Sequence, residues 1–431
     1  MGGVSMQPKL EVTPQEVLVG DPVNIKVVGL SVGQIASLAL SGKDQFGNSW
    51  SSKASFKADE AGTIDPSRDA PTEGSYNGVD PAGLFWSMAC QPAGQIVSPF
   101  VAMPTVEVVL SIDGQKKASQ IIKRIANLDL DRQEINGEIV GVFLKPREAI
   151  KPLPALIVLG GSEGGVKEAW ATLIASKTRL PTLALGYFGA KGLPPTLENI
   201  PLERIEQAMD WLAKQPNVAP DRFGVIGASR GGELAILAAS LFPKIKAVVG
   251  YTPSGVIWEG IGSGESPAWT YQGKPFPYLR VMEDEDAQRR FQEAQRNGTP
   301  YLGAPLFLYS LKMQQDRIAA ATIPVERSQA AFLLIGNPGD GVWPSDVLSG
   351  ITIERLKAHN YPFHYELLAY ADGGHMLIPY PYYPTTLRQF YLPTIRVWEG
   401  LGGTAKGAAK AAEDSWPKVV NFLHRELRAG E

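Results

Sequence analysis

Short runs of alternating apolar and polar residues mark the first third of the chain. Leu10-Glu11-Val12-Thr13, Val23-Asn24-Ile25-Lys26-Val27 and Glu107-Val108-Val109-Leu110 are partly alternating runs of β-formers. That is the pattern of strands with one face buried and one wet. Turn signals separate them at Val19-Gly20-Asp21-Pro22, Gly47-Asn48 and Asp113-Gly114,. Helical periodicity is scarce over this stretch. The pattern predicts an all-β sandwich over residues 1–147.

After Lys145-Pro146-Arg147 the pattern changes. Ala155-Leu156-Ile157-Val158-Leu159 is a fully apolar run, as a strand buried on both faces requires,. Thr182–Leu185, Phe223–Gly227, Ala247–Gly250 and Phe332–Ile335 repeat it. Helices are predicted between them over Glu168–Thr178, Leu202–Leu212 and Gly232–Leu241,. Alternating strand and helix predict that residues 148–431 form an α/β domain with a parallel sheet covered on both faces. Gly402-Gly403-Thr404-Ala405 reads as a linker or loop before a last amphipathic helix, Asp414–Leu427.

Residues 255–323 interrupt the alternation. Gly260–Gly264 and Gly273–Pro277 read as loops, and Glu283-Asp284-Glu285-Asp286 leads into a polar helix reaching about Arg296. The segment reads either as a solvated excursion or as a cap over a pocket. It holds Trp258, Trp269, Tyr271, Phe276 and Tyr278 outside the regular pattern, after the C-terminal end of a central strand. Ligands bind at that edge in open α/β sheets. Trp269 and Tyr271 are therefore expected to line the substrate pocket.

Composition narrows the function classes. A chain of 431 residues suits two or three domains, and 44% hydrophobic with 20% charged residues is globular,. The net charge of −3, without a basic stripe, argues against a nucleic-acid partner,. The single cysteine, Cys90, allows neither an intrachain disulfide nor a multi-cysteine zinc site,. It suits a reducing cytosol and is expected to be a buried small residue. Met1–Gln7 lacks the basic and apolar parts of a leader, no run is long enough to span a membrane, and Arg428–Glu431 matches no retention or peroxisomal address,. A cytoplasmic location is expected.

The densest chemistry lies in Gly227-Ala228-Ser229-Arg230-Gly231-Gly232, a G-x-S-x-G pattern between a buried strand and a helix,. Such a turn exposes the serine at a helix N-terminus, where negative charge is favoured. The serine needs a base, and the candidates are His359, His364, His375 and His424,. His424 falls in the terminal helix, His364 in the β-like run Phe363–Leu368, and His359 just before it. His375 follows that run in Asp372-Gly373-Gly374-His375, a loop able to aim an imidazole at Ser229. The acid is expected after the Phe332–Ile335 strand, where Asp340 is preferred and Asp346 begins a helix. Oxyanion donors are expected from the Arg230 N–H and from Gly160-Gly161-Ser162-Glu163-Gly164-Gly165, through Gly161 or Ser162,. That loop lacks the Gly-Lys-Ser/Thr ending of a phosphate-binding loop. Neither a metal nor a redox cofactor is implied.

Several stretches resemble the acyl-CoA thioesterase / bile acid-CoA:amino acid N-acyltransferase family. They include Val158–Gly165, Leu183–Gly189, Leu193-Pro194 with Ile200–Glu203, Gly227–Leu234 and Gly373–His375. In the N-terminal third they are Leu10–Pro14, Ala58–Gly62, Gly74–Asp80 and Gly83–Met88. The resemblance covers most of the chain. It implies an immunoglobulin-like β-sandwich followed by an α/β-hydrolase, and a serine or cysteine nucleophile that attacks an acyl thioester. Amino-acid-conjugating members carry cysteine at the elbow, so Ser229 favours hydrolysis. Members often have two adjacent acids before the acid loop's tryptophan, whereas this chain has Gly339-Asp340.

The expected reaction is acyl-CoA plus water to free acid and CoA, on a small-molecule thioester or ester. The alternatives are a carboxylesterase, amidase or peptidase, an acyl transferase to an amine, and a binding module with an inactive elbow. The sequence assigns no oligomeric state.

Overall fold

In a computed structural model of the chain, the described residues are 7–92, 102–262, 266–376, 379–392 and 396–428. Most of the Met1–Gln7 stretch, residues 263 and 264 of the Gly260–Gly264 loop and the last three residues lie outside them. Two compact units are present. One comprises Met1–Ala126 with Tyr380–Phe390 and Thr404–Glu413, and the other Asn127–Pro379, Tyr391–Gly403 and Asp414–Glu431.

The first unit is rich in sheet. Lys9–Thr13 pairs antiparallel with Asn24–Val28. A seven-stranded sheet runs in the order Glu16–Leu18, Gln115–Ile125, Thr105–Ile112, Ile35–Lys43, Ser49–Lys57 and Glu73–Gly74, with Ala89–Gln91 also on Ser49–Lys57. Alternation sets its core: Val106, Val108 and Leu110 are fully buried, and the residues between them are not,. Cys90 is buried, as expected. Two C-terminal segments complete this unit. Thr385 N donates to Trp86 O at 3.1 Å, and Arg124 donates to Tyr382 O at 2.7 Å.

The second unit is built on an eight-stranded sheet. Its order is Leu130–Asn136, Val140–Pro146, Thr182–Gly186, Leu153–Leu159, Val218–Ala228, Ile245–Tyr251, Ala331–Ile335 and Tyr365–Leu368. Val140–Pro146 is antiparallel to both neighbours, and the strands from Thr182–Gly186 onward pair in parallel. Helices Glu168–Thr178, Glu203–Ala213, Arg230–Leu241 and Ser345–Ala358 alternate with the strands. This is the α/β-hydrolase arrangement.

The boundary at residue 147 is corrected. Leu130–Asn136 and Val140–Pro146 form a hairpin that belongs to the hydrolase sheet, not to the N-terminal unit. Val142, Phe143 and Leu144 are buried, and Val140–Leu144 pairs with Thr182–Gly186. The terminal helix also starts earlier, at Ala405, and runs to Arg428 through Pro417. The alanines of residues 405–412 favour helix, while Gly402, Gly403 and Thr404 stay in the expected loop before it. Among the described residues no helix is long and apolar enough to cross a membrane.

Candidate active site

The elbow forms at the end of Val218–Ala228. Ser229 takes φ 53° and ψ −121° and precedes the helix Arg230–Leu241. A non-glycine residue there costs ~1–3 kcal/mol and persists only where its surroundings hold it. Ser229 N donates to Tyr251 O at 2.8 Å, and Ser229 O accepts from Gly232 N and Glu233 N. The flanking glycines are demanded by close approach. A Cβ on Gly227 would stand 2.1 Å from Gly231 O, and one on Gly231 would stand 2.1 Å from Gly160 O. As the first helical residue, Arg230 has an N–H with no intrahelical acceptor.

The glycine loop after Leu153–Leu159 abuts the elbow. A Cβ on Gly161 would lie 3.2 Å from Ser229 Cβ. Gly161 is buried against the elbow, whereas Ser162 is exposed. Tyr187 Oη donates to Gly160 O at 2.5 Å and to Gly161 O at 3.3 Å, which braces the loop from beneath.

Asp340 follows Ala331–Ile335, and His375 follows Tyr365–Leu368, at the strand ends where Ser229 also stands. His375 Nδ1 lies 3.0 Å from Asp340 Oδ1 and 2.9 Å from Oδ2. Both residues are buried, at 3% and 5% exposure. Asp340 also accepts from Val342 N and Trp343 N. Burial pushes the His375 pKa down, but the charge of Asp340 and its hydrogen bond, with Glu399 and Glu163 behind them, carry it above the ordinary value. Asp346 lies in the first turn of Ser345–Ala358, where a negative charge suits the helix N-terminus. The other histidines are engaged elsewhere. His359 caps that helix, His364 meets Arg425 at 3.0 Å, and His424 lies in the terminal helix.

A family model described as the C terminal of BAAT / acyl-CoA thioester hydrolase matches residues 200–429, more than half of the chain. The chain belongs to the BAAT / acyl-CoA thioester hydrolase family. A second model, for the N-terminal region of acyl-CoA thioester hydrolase/BAAT, matches residues 20–136. Acyl-coenzyme A amino acid N-acyltransferase 1 of Mus musculus is 29% identical, over 98% of this chain and 98% of its own length. Acyl-coenzyme A thioesterase 1 of Homo sapiens is 26% identical, over 95% of this chain and 94% of its own. A solved structure of a putative dienelactone hydrolase from Klebsiella pneumoniae is 14% identical with a TM-score of 0.42, covering 69% of this chain and 98% of that one.

The pocket assignment of Trp269 and Tyr271 in this family member is corrected. Trp269 is fully buried. Its Nε1 donates to Glu233 Oε1 at 2.6 Å, and its ring packs 5.8 Å from that of Tyr187 and under the Arg230 guanidinium. The buried Glu233 carboxylate needs a donor, and the indole supplies it. Tyr271 packs on Phe242, just past the helix C-terminus. A helix of that length places it ~18 Å along from the serine. A different aromatic run leads from the 255–323 segment toward His375. Trp258 packs on Phe307, Phe307 on Trp343, and Trp343 lies 6.4 Å from the His375 ring.

Three supporting residues escaped the sequence reading. Asn337 Nδ2 donates to Gly374 O at 2.7 Å while its Oδ1 accepts from Tyr370 N, so it clamps the histidine loop to the acid loop. Leu401 O accepts from both His375 N at 2.7 Å and Gly341 N at 3.1 Å. Glu399, two residues earlier, faces the Asp340–His375 pair. Burial raises its pKa, the imidazole lowers it, and Asp340 raises it, for a net rise. No motif marks these positions. The only signal was the polar Asn337 directly after a buried apolar strand.

Proposed function

We propose that the protein is a serine hydrolase that cleaves acyl-CoA thioesters to the free acid and CoA through an acyl-serine. The observation that carries this reading is the buried Asp340–His375 pair at the same sheet edge as the strained Ser229 elbow. Asp340 fixes the imidazole with Nδ1 protonated and stabilises the imidazolium. His375 then takes the Ser229 proton, the alkoxide attacks the thioester carbonyl, and the N–H groups of Arg230 and Gly161 hold the oxyanion. CoA leaves with the proton returned by His375. A water, deprotonated by the same imidazole, releases the acid.

Transfer to an amine is the second reading. It is favoured by the relatives named as amino acid N-acyltransferases, while serine rather than cysteine at the elbow speaks for water as acceptor. We further read the sheet-rich N-terminal unit as an immunoglobulin-like sandwich and the protein as cytoplasmic, which a lone buried thiol suits,.

The test is a panel of acyl-CoA, p-nitrophenyl ester, peptide amide and acyl-CoA with amine acceptors, run on wild type and variants. Ser229→Ala is expected to stay folded and to lose roughly three or more orders of magnitude in turnover. Asp340→Asn is expected to lose far more activity than Asp346→Asn. Near-normal turnover by the Ser229→Ala protein defeats the nucleophile, and a greater loss at Asp346 defeats the acid.

A further inference from the structure

The Gly161 N–H, one of the two oxyanion donors above, is already engaged by an anion. It donates to Glu163 Oε1 at 3.3 Å. Lys167 Nζ lies 2.8 Å from the same oxygen. The second carboxylate oxygen and the nucleophile flank one α-carbon: a Cβ on Gly161 would stand 2.8 Å from Glu163 Oε2 and 3.2 Å from Ser229 Cβ. The charge of Glu163 also acts on His375.

An oxyanion donor holds a carboxylate for the reason it holds a tetrahedral intermediate: both offer an anionic oxygen to an N–H. The product of hydrolysis is itself a carboxylate, released with its oxygens beside the same donors. Glu163 is therefore a built-in competitor for the place the product occupies. Its side chain is 43% exposed and paired with Lys167. Two glycines at positive φ follow it, Gly164 at 64° and Gly165 at 76°. It can leave the donor without losing its ion pair or being stranded in an apolar core. An acyl-CoA brings the binding energy of its CoA portion to that displacement, and the free acid does not, since CoA has already left.

We propose that Glu163 is a specificity-determining residue that reclaims the Gly161 N–H after deacylation, so that the site discriminates against carboxylate products. The proposal rests on the acyl-serine reading of Ser229. Two effects act together on a bound carboxylate. Glu163 competes for the N–H, and its charge repels a second anion nearby. A neutral ligand of the same shape meets only the first.

The experiment measures protection of Ser229 from a fluorophosphonate probe by octanoate and by octanamide. It uses full-length wild type, Glu163→Gln and Glu163→Ala, with octanoyl-CoA turnover recorded on the same samples. Octanoate is expected to bind both variants about tenfold or more tightly than wild type, with octanamide changing by less than about threefold. In wild type alone, octanoate is expected to bind more weakly than octanamide. Unchanged octanoate affinity in the variants, or equal shifts for the two ligands, overturns the proposal. If neither variant folds, tighter octanoate than octanamide binding by wild type overturns it instead. Probe labelling without octanoyl-CoA turnover defeats the thioester reading and leaves the ligand comparison decisive. A wild-type Ser229 that never labels defeats both.

Discussion

His375 is buried with Asp340 in direct contact and with Glu399 and Glu163 acting on it from further off. Desolvation alone lowers an imidazole's pKa, and here the carboxylates outweigh it,. A general base works only when neutral, so under the proposed mechanism the acid side of the kcat/KM profile follows this group. Asp340 orients the ring as well as raising its pKa, whereas Glu399 makes no hydrogen bond to it. Glu399→Gln is therefore expected to move the acid limb of kcat/KM to lower pH while keeping the plateau within a few-fold of wild type. A pH profile of p-nitrophenyl ester hydrolysis reads this directly. An unmoved limb, or one moved to higher pH, rules out an electrostatic role for Glu399.

One turn along the elbow helix, Glu233 is fully buried and its carboxyl is pushed up to about 7 by burial, against the pull of Arg230 and the Trp269 indole. Arg230 also donates to Trp258 O and Glu259 O, so this helix end pins the 255–323 segment. A folded-state pKa above the unfolded one means that the native state binds the proton more tightly. The stabilisation is full below about pH 4.5 and is lost as pH rises toward about 7,. Glu233→Gln keeps an acceptor for the indole. It is expected to flatten the fall in Tm between pH 5 and 8, measured by calorimetry, and an unchanged slope would contradict the assignment.

At this scale much was legible in advance. The apolar runs became parallel strands, Glu168–Thr178 formed as read, and G-x-S-x-G became an elbow, because each pattern admits one packing solution. The hairpin Leu130–Pro146 was not legible. Antiparallel alternation looks the same in a sandwich and at the edge of a hydrolase sheet. Trp269 was misread because composition signals an aromatic cluster but not which face of its strand meets the helix. Asn337 was missed because a side chain that bonds two backbones across 33 and 37 residues leaves no local pattern.

For the whole molecule, the strands before residue 147 fix where the hydrolase unit begins. A chain of residues 148–431 lacks Leu130–Asn136 and Val140–Pro146 and so uncovers the fully buried strand Thr182–Gly186 as an open edge. Such edges aggregate. It is expected to elute as aggregate on size exclusion and to fail to react with a fluorophosphonate, whereas a monodisperse, reactive product would refute the sheet assignment. Neither unit is a continuous piece of chain, since Tyr380–Phe390 and Thr404–Glu413 belong with Met1–Ala126. That order matters on the ribosome. The strands up to Ile125 emerge before the hydrolase strands, but the segments that finish their unit are translated only after those strands, a delay on the order of tens of seconds,. The strands from Lys9 to Ile125 are thus made well before the segments that complete their unit, with the whole hydrolase sheet made in between.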